Sequence, residues 1–123
     1  MKRKKLPSLA SLKRKADRVF SAWIRRRDAL PDGTGRCISC GIITKLQAGH
    51  WIKRGHLALR YDPRNVHGQC VRCNHFLGGN EGAYAAALVR KYGVGAIEDM
   101  LSRKHNVTKL SRDDYLSIIE RYK

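Results

Sequence analysis

The apolar positions of the chain are helically spaced at both ends and irregular in the middle. From Ser8 onward, Leu12, Ala16, Val19, Phe20, Trp23 and Ile24 recur at spacings of three, four and one, which places them on one helix face and leaves the charged residues on the other. Ser8 suits an N-cap, and Pro31, Gly33 and Gly35 end the element. In the middle, residues 42–53 predict a short hairpin, while Arg54 to Arg64, polar and broken by Gly55 and Pro63, reads as a loop. A turn or short helix is expected from Cys70, interrupted by Gly78-Gly79. Helical spacing returns from Glu81 to Tyr92, with Gly93 as its stop, again around Ile97, Met100 and Leu101, and last through Tyr115, Ile118, Ile119 and Tyr122. That final helix opens on a variant capping box, Ser111-Arg112-Asp113-Asp114. Phe20 and Trp23 are expected in the core, and Trp51 either in the core or as a stacking platform.

Length and composition bound this picture. A chain of 123 residues fits one domain, residues 1–123, with a modest core that a metal staple would help. With 42% hydrophobic and 29% charged residues it is a globular chain and not a disordered one, apart from a basic tail over residues 1–7. The net charge of +16 is uneven: residues 1–36 carry twelve Lys or Arg against three acids, and residues 41–72 carry six against Asp62 alone. Such a charge repels itself unless a polyanion faces it. No apolar run approaches the roughly 18 residues of a membrane span, and the basic start meets Pro7 and then Lys13-Arg14-Lys15 where a secretion signal would stay apolar. A cytoplasmic location is expected.

The four cysteines form two Cys-x-x-Cys pairs, Cys37/Cys40 and Cys70/Cys73. In a reducing compartment this pattern reads as a metal site before it reads as disulfides. Two such turns supply four thiolates to a tetrahedral Zn²⁺, and no cysteine is left over, so a structural zinc is expected. The gap from Cys40 to Cys70 holds 29 residues, longer than the roughly 15–20 of a plain zinc ribbon, so something is inserted.

The insert contains Gly49-His50-Trp51-Ile52 and Asn65-Val66-His67-Gly68-Gln69, and Asn74-His75 follows the last cysteine. A zinc core with His, then Asn, then Asn or His beside the final cysteine resembles the HNH, or ββα-metal, nucleases. Ile24-Arg25-Arg26-Arg27-Asp28, the Cys37 pair with Gly41, Ala48-Gly49-His50-Trp51, Leu59-Arg60-Tyr61-Asp62, Asn65 to Cys70, Cys73-Asn74, Gly79-Asn80 and Tyr84 together resemble the lambdoid phage NinG/Rap recombination nucleases, from about Ala16 to Gly93. The resemblance implies an α+β fold in which a zinc-stabilised ββα-metal unit over residues 37–80 is flanked by an N-terminal helix and C-terminal helices. It also implies a metal-dependent endonuclease acting on branched DNA such as Holliday junctions and D-loops, leaving 5′-phosphate and 3′-hydroxyl ends.

Phosphodiester hydrolysis needs a base to activate water and a cation to stabilise the charge that develops on the phosphate and leaving oxygen. His50 can be that base, because a neutral imidazole accepts a proton near neutral pH, and Asn65 can orient the ring through its side-chain carbonyl. Asn74 matches the position that holds Mg²⁺ or Mn²⁺ in HNH sites, an amide oxygen being an acceptable hard ligand. The chain departs from the common pattern at Gly49, where many HNH proteins carry an acidic or histidine ligand. His67, His75 or Asp62 can compensate, or the metal can lean on phosphate and water, and the swapped assignment, His50 as ligand and His67 as base, stays open. His56 and His105 read as surface or packed residues, and Asn80 as a turn or helix cap. The expected phosphate contacts are Arg25, Arg26, Arg27, Lys53, Arg54, Arg60 and Arg64, about half of them serving only as a solvated face. A two-fold junction that needs two cuts makes a homodimer plausible. The rival readings are a less selective nuclease on duplex DNA and a zinc-containing DNA-binding protein without catalysis.

Overall fold

The computed structural model describes residues 5–107 and 109–123, so residues 1–4 of the expected tail lie outside the described residues. Helix α1 (Leu9–Asp28) starts where Ser8 Oγ accepts the Ser11 N–H at 3.0 Å, which satisfies one of the donors a helix start leaves unpaired. Its buried residues Leu12, Ala16, Phe20 and Ile24 are spaced by four and form a single stripe. Leu12 and Ala16 pack against Tyr115 and Ile119 of the last helix, while Phe20 and Ile24 pack against Val66 and Tyr122. The N-terminal helix is therefore a spine with the C-terminal helix along one part and a sheet along the other.

The strands form two small antiparallel sheets. β1 (Gly35–Arg36) pairs with β2 (Ile43–Thr44), and β3 (Gln47–His50) pairs with β4 (Val66–Gln69), which sets Gln47 opposite Gln69, Gly49 opposite His67 and His50 opposite Val66. The hairpin expected within residues 42–53 does not form, because its halves pair with partners before and after it in sequence. Leu46, buried between β2 and β3, packs into space that only the absent side chains of Gly35 and Gly68 leave open, so one leucine pins both sheets together.

Residues 54–64 are not all loop: helix α2 (Leu57–Arg60) buries Leu59 and Arg60. Leu59 joins Ile52, Tyr84, Leu88 and Met100 in a core shared with α3 (Glu81–Tyr92) and α4 (Val94–Arg103). Before α3, Cys73 sits on a π-helical turn, Arg72–Phe76, with Cys70 just ahead of it. Gly93 ends α3 at φ +87, a left-handed conformation costly for any side chain. Helix α5 (Arg112–Tyr122) opens with both hydrogen bonds of the Ser111/Asp114 capping box in place. The result is a small mixed α and β fold. Its β3–β4 hairpin meets α1 through Ala48 and Val66 on one face, and the other face meets α3 through Gly49 and His67. Among the described residues, no helix is long and apolar enough to cross a membrane.

Candidate metal centre and hydrolytic site

The two cysteine turns converge. Gly41 N–H closes the first on the Cys37 carbonyl at 2.9 Å, and Asn74 N–H closes the second on the Cys70 carbonyl at 2.9 Å. All four Sγ atoms lie within 4.8 Å of one another, and Cys40 and Cys70 Sγ are 3.7 Å apart. Tetrahedral thiolates about 2.3 Å from a zinc ion would be about 3.8 Å apart, so the cluster can hold a metal ion such as zinc. Donors already face the sulfurs: the Cys73 N–H points at Cys70 Sγ and the Asn80 side-chain amide at Cys73 Sγ, each at 3.4 Å. Asn80 does begin α3, with φ +45, but its side chain caps nothing and serves the cluster instead. Burial pushes the Cys37 thiol up, yet the backbone N–H groups around it outweigh burial and bring it down to about 7. Burial pushes Cys73 up to about 12, so thiolate is within reach near neutral pH at Cys37 alone of these two, and a bound metal would have to displace the proton of the other.

His50 ends β3 with Nε2 2.9 Å from the Arg60 carbonyl. A carbonyl only accepts, so Nε2 carries the proton and Nδ1 is left as the acceptor, with no hydrogen-bond partner among the described residues. Burial, followed by the charges of Arg54 and Arg60, lowers the ring's pKa to about 4, so the imidazole is neutral at pH 7. The carbonyl that sets this tautomer is itself held. Asp17 of α1 receives Arg60 Nε at 2.9 Å and NH2 at 2.6 Å, Tyr61 OH at 2.7 Å and Arg54 NH2 at 3.1 Å, while Arg60 NH1 donates to the Arg54 carbonyl at 3.0 Å. Burial works against the Asp17 carboxylate, but these bonds and charges hold its pKa below the usual range. Sequence reasoning passed over Asp17, although it is the one acid among the first 27 residues.

Asn65 does not orient His50. It is fully buried, its Oδ1 accepts the Ile52 N–H at 2.8 Å, and its Nδ2 donates to the carbonyls of Ile52 at 2.9 Å and Leu59 at 3.0 Å. Its amide is spent on clamping the loop between β3 and β4, and the Arg60 carbonyl does the orienting instead. His67, the alternative base, is 1% exposed. Tyr84 donates to the Gly49 carbonyl at 2.7 Å, so His67 Nδ1–H donates to the Tyr84 oxygen at 3.3 Å and Nε2 accepts from Tyr92 at 2.8 Å. With both nitrogens engaged, and with burial first and the Arg27 charge second lowering its pKa to about 4, His67 is a neutral packing residue between two tyrosines.

The glycine at position 49 has a steric origin. The Gln69 carboxamide occupies the space a side chain at 49 would need, fixed there by Nε2 donating to Ser39 Oγ and the Gly79 carbonyl, both at 2.8 Å. Its Oε1, buried against Gly49, has no hydrogen-bond partner among the described residues. Gly49→Asp should therefore lower unfolding stability by about 1–3 kcal/mol, the usual range for overpacking, and Gly49→Asp combined with Gln69→Ala should recover most of it. Chemical denaturation checks this, and a single Gly49→Asp variant as stable as the parent would contradict the packing.

Asn74 Nδ2 donates to Gln47 Oε1 at 2.9 Å, leaving Oδ1 as a hard oxygen without a protein partner among the described residues. Gln47 starts β3 and His50 ends it, roughly 10 Å apart along a strand, so Asn74 and His50 flank β3 without touching. The proposed substitutes for a ligand at 49 do not gather around Asn74: Asp62 is held by Arg103 at 2.8 Å and the Arg64 N–H at 2.9 Å, and exposed His75 lies edge-on to Phe76. Among the described residues the four-cysteine cluster is the only group of three or more His, Cys, Asp or Glu placed to hold a metal. His56 and His105 meet each other, ring centroids 5.4 Å apart.

Most of the expected phosphate contacts are already employed. Arg27 donates to Asp28 and to the carbonyls of Pro63 and Val66, clamping the open edge of β4, and Arg60 is bound to Asp17, so neither guanidinium is available to DNA. Arg54 pairs with Asp17, Arg64 with Asp99 at 2.6 Å, and Lys53 with the Gly78 carbonyl at 2.7 Å and Glu81 at 3.4 Å. Arg25 and Arg26 are exposed and unpaired among the described residues, beside Lys45 in a shallow depression.

The family model described as "Bacteriophage Lambda NinG protein" matches residues 1–123. Among curated proteins, the chain is 38% identical to Protein ninG of Salmonella phage P22 over 101 residues, 77% of this chain and 47% of that protein. It is 38% identical to Protein ninG of Escherichia phage lambda over 97 residues, 76% of this chain and 45% of that protein. With Protein ninG of Escherichia phage 933W the identity is 35% over 113 residues, covering 89% and 53%. The chain thus spans about half the length of the curated relatives it matches. No solved structure matches. On the full-length family match, carried by a chain whose two cysteine turns meet in one cluster, the protein belongs to the NinG family of bacteriophage proteins.

Proposed function

We propose that this chain is a metal-dependent DNA endonuclease of the HNH, ββα-metal type, selective for branched recombination intermediates such as Holliday junctions and D-loops. The observation that carries the reading is the state of His50: neutral, with Nε2–H donated to the Arg60 carbonyl and Nδ1 left to accept a proton from water. The order of elements, a β3–β4 hairpin followed by α3 beside the cysteine cluster, supports the reading, with His50 on the hairpin face turned toward α1. His50 takes the proton of the attacking water, Asn65 holds the loop that carries the Arg60 carbonyl, and Asp17 holds Arg60.

For a catalytic Mg²⁺ or Mn²⁺ the residues offer one neutral hard donor, Asn74 Oδ1, at the Gln47 end of β3 and on the face opposite His50, while Gly49 and buried Gln69 add no charge. Asn74 would hold it, with water and the scissile phosphate completing the shell as Mg²⁺ commonly allows. When bound, the ion supplies charge neutralisation at the phosphate and leaving oxygen. A junction presents two equivalent strands, so two copies acting together account for paired cuts.

A rival reading, a zinc-containing DNA-binding protein without catalysis, draws support from the Gln69 side chain standing where other HNH sites place a metal ligand. Cleavage of a four-way junction, a linear duplex and a single strand, with Mg²⁺ or without divalent metal, separates the readings. Metal-dependent cutting of the junction at the lowest enzyme concentration is expected, equal cutting of duplex would indicate a less selective nuclease, and binding without cutting would favour the rival.

Binding should be largely electrostatic, because each neutralised phosphate releases condensed counterions. Replacing Arg25 and Arg26 by Ala should reduce the salt slope of binding by roughly 2 without changing the melting temperature. Arg27→Ala should instead lower stability, because it opens the clamp on β4. Unchanged affinity in the Arg25/Arg26 double variant, measured by fluorescence anisotropy across salt, would remove this face from the DNA surface.

A further inference from the structure

The second cysteine turn displays an apolar tip that the fold does not use. Phe76 is 76% exposed, Leu77 48% and Val71 44%, in a small protein where burying a phenylalanine would gain about 1.5–3 kcal/mol. The tip is rigidly mounted. Leu77 N–H donates to the Arg72 carbonyl at 2.8 Å, Gly79 N–H to the Cys73 carbonyl at 2.8 Å, and Lys53 Nζ reaches the Gly78 carbonyl at 2.7 Å. The His75 ring supports Phe76 edge-on, with centroids 5.5 Å apart. Cys73 anchors the base of the turn in the metal cluster, and Asn74, the proposed ligand of the catalytic metal, lies two residues before Phe76.

The surroundings select the occupant. Around the tip stand Arg72, exposed and unpaired among the described residues, and Lys53, which holds the Gly78 carbonyl. The acid beside them is Glu81, already engaged by Lys53 at 3.4 Å. An apolar tip beside an unpaired arginine, on a chain of net charge +16, suits a partner that is anionic around an exposed flat ring. A second copy of the same face would bring like charges together.

We propose that Phe76 is a stacking wedge that takes an unstacked nucleobase at a DNA branch point while Arg72 holds a flanking phosphate. In continuous duplex every base is already stacked and insertion costs a few kcal/mol, whereas the bases at a branch are partly unstacked beforehand. The wedge therefore gives a physical origin for preference of branched over linear DNA. It rests on the reading of branched DNA as the substrate, and adds the contact that recognises it.

The test uses the full chain, with no added divalent metal so that nothing is cut, and fluorescence anisotropy on a four-way junction and a linear duplex of the same sequence. Phe76→Ala should lose junction affinity on the order of 5- to 150-fold, the range for one base–aromatic stack, with duplex affinity changed less than about twofold and an unchanged melting temperature. Phe76→Trp should retain junction affinity, and 2-aminopurine at the branch should respond to the wild-type chain and not to Phe76→Ala. Equal junction affinity in Phe76→Ala, or an equal loss on both DNAs, would overturn the wedge. So would a Phe76→Ala chain that merely shifts from dimer to monomer in sedimentation with its affinity per chain intact, which would assign the tip to self-association. Absence of cleavage under every metal condition would defeat the nuclease reading and leave this result standing, whereas absence of binding to any DNA would defeat both.

Discussion

Cys73→Ser is expected to give a chain that neither retains zinc nor unfolds cooperatively. The wild-type chain should carry about one tightly held Zn²⁺, and apparent binding energies of about 10–16 kcal/mol for structural zinc are comparable to the whole stability of a typical domain, about 5–15 kcal/mol. Cys37 and Cys73 are each 1% exposed, and the cluster joins the β1–β2 knuckle to the turn that leads into α3, so its loss frees both ends of the hairpin segment at once. Cys37→Ser should behave alike. Metal content by mass spectrometry and a circular-dichroism melt measure this directly. A metal-free wild-type preparation with an unchanged melting profile would remove zinc from the structure's support.

The ends of the fold were legible in the sequence because local rules act there. The four-spaced stripe of α1, the Ser8 cap, Gly93 after α3 and the Ser111/Asp114 box are each set by residues within a turn or two of one another. The convergence of the cysteine turns was legible too, since spacing alone limits what two Cys-x-x-Cys pairs can do. The middle was not. Gln47–His50 and Val66–Gln69 are four-residue strands of mixed polarity whose pairing spans a loop, and no local pattern announces a partner that far away. The same long-range contacts decide side-chain roles. Asn65 clamps Ile52 and Leu59 and does not touch the His50 ring, His67 is packed between Tyr84 and Tyr92, and Arg27 and Arg60 are fold residues. A sequence lists these groups without saying which backbone atoms will claim them. Gly49, a departure from the HNH pattern when read alone, becomes intelligible only with Gln69 lying across it.

His50→Ala should leave the fold and the junction affinity in place while cleavage falls by about 10²- to 10⁴-fold, the range for removing a general acid or base. The substitution touches neither the cysteines nor the exposed arginines, and the Arg60 carbonyl it leaves without the His50 partner should cost about 1–3 kcal/mol of stability. The pH dependence should carry the same signature. A histidine lowered to about 4 by burial and by the Arg54 and Arg60 charges is already deprotonated at pH 5, so the acid limb of the wild-type rate should lie near 4 and not at the 6.5 of a solvated imidazole. If His50 held the metal instead, high Mn²⁺ would recover much of the loss. That recovery is expected for Asn74→Ala, whose Oδ1 is the proposed ligand, and not for His50→Ala, because added metal does not replace a base. The most direct measurement is single-turnover cleavage of a four-way junction by wild-type and His50→Ala chains at saturating binding, in Mg²⁺ and in Mn²⁺, with the product ends mapped. The account predicts paired wild-type cuts near the branch with 5′-phosphate and 3′-hydroxyl ends, and a bound but nearly uncut junction with His50→Ala in either metal. Cleavage by His50→Ala at the wild-type rate, or an uncut junction with both chains, would contradict it.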